Sequence, residues 1–259
     1  SGVSSFEPFA GTEARLDRVA GMKQILLVRH GQASFGADVY DALSEIGHEQ
    51  SRVLGRALAA VGLRPDVVVR GGQRRHEETV EGIIEGLGLT ADDHPTIAVD
   101  PGWNEFDFEQ VIEIHEPRFR EREVMTAELE ATGRPRQAFQ ELFEVATHRW
   151  SRAGDGVDYA ESFPAFTARV VTALETAVAL QPDRGTALVV SSGGPIGVVA
   201  SHLIAGDASI WAALNRVVVN TSVTKVVRGS RGQSLVSFNS HTHLEGSPEL
   251  LRRAGRTRN

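Results

Sequence analysis

Apolar and polar positions change rhythm along this chain, and the rhythm separates strands from helices. Residues 25–28, "ILLV", form a short unbroken apolar run that stops on Arg29, His30 and Gly31. Such a run suits a strand covered on both faces. Residues 43–63, "LSEIGHEQSRVLGRALAAVGL", place Leu43, Ile46, Val53, Leu54, Ala57, Leu58 and Val61 near one face of a helix. "DVVVR" (66–70) reads as a second buried strand, "RRHEETVEGIIEGLGL" (74–89) as a helix and "TIAVD" (96–100) as a third strand.

Between about 107 and 160 the pattern turns to charged helical sequence interrupted by Gly133 and Pro135, which predicts an inserted helical cap. A helix over 161–180 and a buried strand over 186–192, "TALVVSS", follow. "GGPIGVVASHLIAG" (193–206) opens a helix with glycines and a proline in its first turn. Two further strands are expected at 216–227 and 233–239. Alternating strands and helices predict a three-layer α/β/α sandwich with a mostly parallel sheet. Residues 1–21 have no period and read as a leader or appended segment, 22–246 as one domain, and 247–259 as a polar, basic tail that frays or docks lightly.

Composition narrows the chemistry. The chain has 259 residues and no cysteine, which excludes disulfides, thiolate metal sites and a cysteine nucleophile and is compatible with a cytoplasmic location. A net charge of −7 argues against a general nucleic-acid or anionic-membrane binder, because those surfaces need a basic field. No apolar run reaches the roughly 18 to 20 residues needed to span a bilayer.

Four strand ends carry unusual residues: "VRHG" after the first, "RGGQRRHEET" after the second, "WNEFDF" after the third and "SSGG" after the fourth. Parallel strands bring their carboxyl ends to one rim, where open α/β sheets bind ligands. In this order the segments resemble the histidine phosphatase superfamily, the phosphoglycerate mutase-like enzymes, over most of residues 22–245. The resemblance makes His30 the nucleophile, Arg29 and Arg75 the phosphate-binding arginines and Glu105 the acid. It is carried further by Leu43, Ser44, Gly47 and Gln50, and by the spacing of Gly71, Arg75 and Thr79. Gln32 and Gly193 join the expected phosphate-binding set.

These residue types suit phosphoryl transfer on their own account. Arginine offers a permanently charged, planar fork to phosphate oxygens, and nearby arginines keep a histidine neutral and nucleophilic. Glu105 can protonate the leaving alkoxide and then deprotonate water, and a carboxyl buried among Trp103, Phe106 and Phe108 would have a raised pKa. No metal or other cofactor is called for, and the expected partner is a small phosphorylated substrate. Simpler readings compete: Arg75 pairing with Glu77 or Glu78, and Glu105 as an edge carboxylate or cap. Arg118, Arg120 and Arg122 alternate with glutamates and read as a solvated face of the cap.

The fourth strand departs from the family pattern, which there has a histidine followed by glycines. Ser192 stands in its place. In the family that histidine helps hold the transferring phosphoryl group, whereas a neutral hydroxyl brings one hydrogen bond and no positive charge. The amino end of the helix at Gly193 can compensate in part. His243, in a segment where Asn239 and His243 resemble the family's final motif, is a candidate member of the same rim.

The leading expectation is a phosphatase acting on small monoesters through phospho-His30. A binder without turnover is the alternative, because of Ser192. A mutase is less favoured, because "QASFGADVYDALSEIG" (32–47) is short and lacks the Trp-Asn sequence that glycolytic mutases carry. A serine hydrolase built from Ser192, Asp207 and His243 is weaker still, since Val190 stands where the nucleophile elbow requires glycine. His241 and His243, two apart on an expected strand, offer a metal only two ligands.

Overall fold

A computed structural model of the chain describes residues 22–34, 41–90, 93–155 and 158–254. The expected leader at 1–21, the end of the tail from 255 and part of the segment after His30 lie outside the described residues.

Among the described residues six strands form one sheet: β1 (Lys23–Arg29), β2 (Val67–Arg70), β3 (Thr96–Val99), β4 (Thr186–Ser191), β5 (Val223–Gly229) and β6 (Gly232–Ser240), in the order β3-β2-β4-β1-β5-β6. The pairs β3–β2, β2–β4 and β4–β1 are parallel, while β5 and β6 add an antiparallel edge. The sheet is therefore mixed with a parallel centre. Arg29 pairs with Ser191, and Arg70 with Val190, so three strands end at nearly one level.

Side chains alternate across the sheet. Leu26, Val28, Val68, Leu188 and Val190 pack against α1 (Glu45–Ala60) and α2 (Arg74–Leu87). Ile25, Leu27, Val67, Val69 and Val189 face α6 (Phe163–Ala179) and α7 (Gly193–Ala205). This double cover explains the unbroken apolar runs and completes the α/β/α sandwich.

The buried face of α1 keeps Leu54 and Leu58 of the expected one and otherwise differs from it. It consists of Gly47, Gln50, Ser51, Leu54, Gly55 and Leu58, and Val61 lies beyond the helix end with 76% exposure. The reason is close approach: a Cβ on Gly55 would sit 2.2 Å from the Ile83 carbonyl oxygen of α2. Small residues, not bulky ones, line that contact.

The charged segment forms α3 (Phe108–His115), α4 (Arg122–Ala131) and α5 (Pro135–Trp150). Trp150 anchors them, stacking on Phe106 at 4.6 Å and donating its indole N–H to the Glu161 carbonyl at 2.9 Å. Arg118 pairs with Glu116 and Glu128, and Arg120 with Glu113, on the solvent side. Among the described residues no helix is long and apolar enough to cross a membrane.

Two expectations near the carboxyl end are corrected. The strand expected from 216 starts at 223; before it lie α8 (Trp211–Val217) and a turn. Trp211 holds α8 in the core, its Nε1 donating to Gly194 O at 2.9 Å, and this burial overrides the β-branched run at 217–219. His241 and His243 lie on no strand: His241 precedes the short helix α9 (Thr242–Glu245), which contains His243. Of the two outcomes expected for the tail, docking holds over α10 (Pro248–Ala254), where Gln50 donates to the Leu250 carbonyl and Asn220 N–H to the Ala254 carbonyl.

Candidate active site

The ladder of backbone bonds continues past the strand ends, which brings the loops together. His30 N–H donates to Ser191 O at 2.9 Å and Gly71 N–H to Val190 O at 3.1 Å. Gly31 then turns the chain against α1: a Cβ there would meet the Gly47 carbonyl oxygen at 2.4 Å. The Gly31 N–H donates to Thr79 Oγ1, whose own hydroxyl donates to the Arg75 carbonyl. One chain of bonds thus joins the turn after β1 to the first turns of α2.

His30 is buried, and its Nδ1 lies 2.7 Å from Gly31 O. A carbonyl only accepts, so Nδ1 carries the proton and Nε2 of the neutral ring keeps its lone pair. Burial holds this imidazole well below the usual histidine range, and the charges of Arg75, Arg29 and then His76 push the same way. The Gly31 carbonyl opposes them.

Arg29 and Arg75 are both buried. Arg29 Nη1 donates to Val218 O, in the turn after α8, and its Nε is 3.9 Å from where a Cβ on Gly193 would stand. Arg75 does not pair with Glu77 or Glu78, which bind Arg70 and Arg74. Its Nη1 meets Asp41 Oδ1 at 2.5 Å instead.

Glu105 sits in the loop before α3, half-buried, with its aromatic neighbours Trp103 and Phe106 turned into the core. Its Oε2 accepts from Gly194 N–H at 3.2 Å and its Oε1 from Phe106 N–H at 3.3 Å. The carboxylate therefore lies on the amino end of α7, against Gly194, where a Cβ would be 2.0 Å from Oε1.

Ser192 is the N-cap residue of α7, yet its side chain makes no cap bond. Its Oγ is 2.8 Å from Nε2 of His76, a residue that the motif reading passed over. His76 is fully buried, and its ring centroid is 5.7 Å from that of His30. The signal for it was present: His76, Val80, Ile83 and Leu87 recur at helical spacing, and all four are buried on α2. Asp41 gave no such sign.

The remaining candidates lie at the margins. Gln32 Oε1 accepts from Ser44 Oγ at 3.0 Å, tying that side chain to the start of α1. His243 Nε2 is 3.2 Å from Thr221 Oγ1, and burial followed by the His241 charge lowers its pKa to about 4. Thr221 N–H and Asn220 Nδ2 bind the carbonyls of Arg29 and His30, so His243 backs the turn after β1 from behind. The triad of Ser192, Asp207 and His243 does not assemble: Ser192 bonds His76, His243 bonds Thr221, and Asp207 accepts from Ser209 N–H past the far end of α7. Among the described residues no three histidines or carboxylates are grouped to hold a metal ion.

An α/β sandwich with a buried histidine, its pKa lowered by burial and by the charges of Arg75 and Arg29, at the carboxyl rim of its parallel strands is the class defined by these observations. The histidine phosphatase superfamily (branch 1) profile matches residues 25–122 and 110–241. The chain belongs to that superfamily. A 2,3-bisphosphoglycerate-dependent phosphoglycerate mutase from Chelativorans sp. (strain BNC1) is 37% identical over 73 residues, 26% of this chain and 35% of that protein. The chain thus spans about a third of the length of that curated relative. Among solved structures, Bacillus stearothermophilus YhfR superposes with a TM-score of 0.61 at 17% identity, over 86% of this chain and 100% of that one. A mycobacterial glucosyl-3-phosphoglycerate phosphatase gives 0.54 at 18%, over 84% and 98%. At these identities the two structures share the fold.

Proposed function

We propose that this protein hydrolyses small phosphate monoesters through a phosphohistidine formed on His30. The observation that carries the reading is the pinned Nδ1 of His30, which leaves Nε2 as the one basic atom of a neutral ring flanked by Arg29 and Arg75. Both mutases and phosphatases stand among the chain's relatives, and water is the acceptor we assign.

In the first step Nε2 attacks phosphorus, the P–O bond to the leaving group breaks, and protonated Glu105 gives its proton to the departing oxygen. In the second, Glu105 takes a proton from water, the hydroxide oxygen bonds phosphorus, and the P–N electrons return to His30. Arg29 and Arg75 hold the equatorial oxygens in both steps, where charge stabilisation and positioning supply most of the catalysis. Substrate must draw Arg75 away from Asp41, or share it.

Phosphate release from phosphorylated sugars, glycerates, nucleotides and an aryl phosphate, measured for the parent and His30→Ala, tests the proposal. Acid quenching identifies the intermediate, because phosphohistidine is labile to acid and stable to alkali while phosphoserine behaves oppositely. Turnover lost in His30→Ala with an acid-labile adduct supports it. Tight binding of esters without release overturns the enzyme in favour of a phosphate-ester binder, and an alkali-labile adduct moves the chemistry to a serine.

A further inference from the structure

We infer that His76 supplies, through the hydroxyl of Ser192, the imidazole that position 192 lacks. The inference rests on the phosphoryl-transfer reading above and adds a positioning residue to it. Its geometry is a bond between residues 116 positions apart: His76 Nε2 and Ser192 Oγ, 2.8 Å from each other, both fully buried. His76 follows Arg75 directly, and its ring lies 5.7 Å from the His30 ring. The imidazole thus approaches the rim from α2 instead of from the end of β4.

A structural filler is the competing explanation, and three features speak against it. An apolar ring would fill the space without desolvating two nitrogens, and burial indeed holds this imidazole well below its usual range, with Arg75 and Arg70 adding to the effect. The Gly71 backbone opposes that shift, yet the second nitrogen, Nδ1, is buried and makes no hydrogen bond of good geometry, which favours the proton on Nε2. The surroundings are also shaped to admit the ring: a Cβ on Gly71, at the end of β2, would stand 2.3 Å from Nδ1.

A lone serine hydroxyl can rotate and spend its single proton on any acceptor. In the tautomer we assign, His76 Nε2–H donates to Oγ; that restricts the rotation and turns the hydroxyl proton away from the ring, toward the phosphoryl group between His30 and the amino end of α7. Two donors in series polarise one another, so the phosphoryl oxygen meets a stronger donor than serine alone. No bond to phosphorus forms here; the pair positions and stabilises while His30 reacts.

The experiment compares the parent with His76→Phe, His76→Gln, Ser192→Ala, the double variant His76→Phe/Ser192→Ala and the swap His76→Ala/Ser192→His. Phe keeps the volume and loses the bond, whereas the Gln amide can donate in place of Nε2–H. The expected result is a fall in kcat of about 10²-fold for His76→Phe, the usual scale for one preorganised donor. KM should change little, and His76→Gln should recover most of the loss. His76→Phe should cost almost nothing more once Ser192 is alanine, and the swap should exceed His76→Ala because it returns the ring to position 192. Additive losses, or equal activity of Phe and Gln at full folding by circular dichroism, overturn the inference while His30-dependent turnover leaves the phosphatase reading standing. Should no ester turn over, orthovanadate binding decides on the same variants: a loss of about 10²-fold in His76→Phe that disappears on the Ser192→Ala background supports the pair, and unchanged binding refutes it.

Discussion

Asp41 Oδ1 lies 2.5 Å from Arg75 Nη1, and Asp41 Oδ2 accepts from Arg74 N–H at 2.7 Å. One carboxylate therefore neutralises a rim arginine and caps the start of α2, whose own N-cap residue, Gln73, makes no side-chain cap bond. Under the proposed function, substrate phosphate competes for that arginine. Asp41→Asn keeps an acceptor for Arg74 and removes the charge. The pair is partly exposed, which limits it to about 0.5–1 kcal/mol. The inhibition constant of inorganic phosphate should fall roughly two- to fivefold, with the difference shrinking in high salt; an unchanged constant means that phosphate does not displace Asp41.

Glu105 is held on the amino end of α7 by Gly194 N–H, in space that only glycine leaves open. Gly194→Ala should push the carboxylate aside and behave like Glu105→Gln. Both should lower kcat by about 10²- to 10⁴-fold on alkyl phosphates, whose leaving oxygen needs a proton. Loss on 4-nitrophenyl phosphate should be far smaller. Equal losses on both ester types argue against proton donation by Glu105.

Acid should destabilise the fold before the carboxylates titrate. His30, His76 and His243 are all held below the ordinary value, His243 to about 4, so the folded chain keeps them neutral. Unfolded histidines take up protons near pH 6.5. The unfolded state therefore binds more protons as pH falls through this value, and stability drops, at up to about 1.4 kcal/mol per pH unit for each histidine. Urea midpoints at pH 7.5, 6.0 and 5.0 measure the slope, and His243→Asn should remove about one proton's share of it. Identical profiles for parent and variant contradict this account.

Trp150 couples the cap to the rim through Phe106, the neighbour of Glu105. It is 1% exposed, so Trp150→Ala should cost about 3–5 kcal/mol in urea unfolding. Trp150→Phe should cost much less, since a ring still stacks on Phe106. A loss below about 1 kcal/mol for alanine would show a cap that folds independently of this contact.

Much of the architecture was legible because burial and periodicity agree at β1, β2, β4 and along α2. Reading failed where a long-range contact outweighed local preference. Val217, Val218 and Val219 look like a strand, yet Val217 ends α8, which Trp211 holds in the core, and Val218 and Val219 lie in the turn whose Asn220 and Thr221 bind the carbonyls of His30 and Arg29. Between fraying and docking, both open for the polar tail, the bonds of Gln50 and Asn220 to its backbone select docking as α10.

By itself the sequence determined which strand ends carry chemistry, since parallel strands send Arg29, His30, Gly71 and Ser192 to one rim whatever the loops between them do. It also carried, in the helical spacing of His76, Val80, Ile83 and Leu87, a signal for His76 that the motifs did not bring out. Only the tertiary structure decided that His76 meets Ser192, that Asp41 covers Arg75 and that Glu105 rests on Gly194. These are through-space pairs between elements distant in sequence. Their partners follow from which backbones approach closely enough, and no local pattern of apolar and polar residues records that distance.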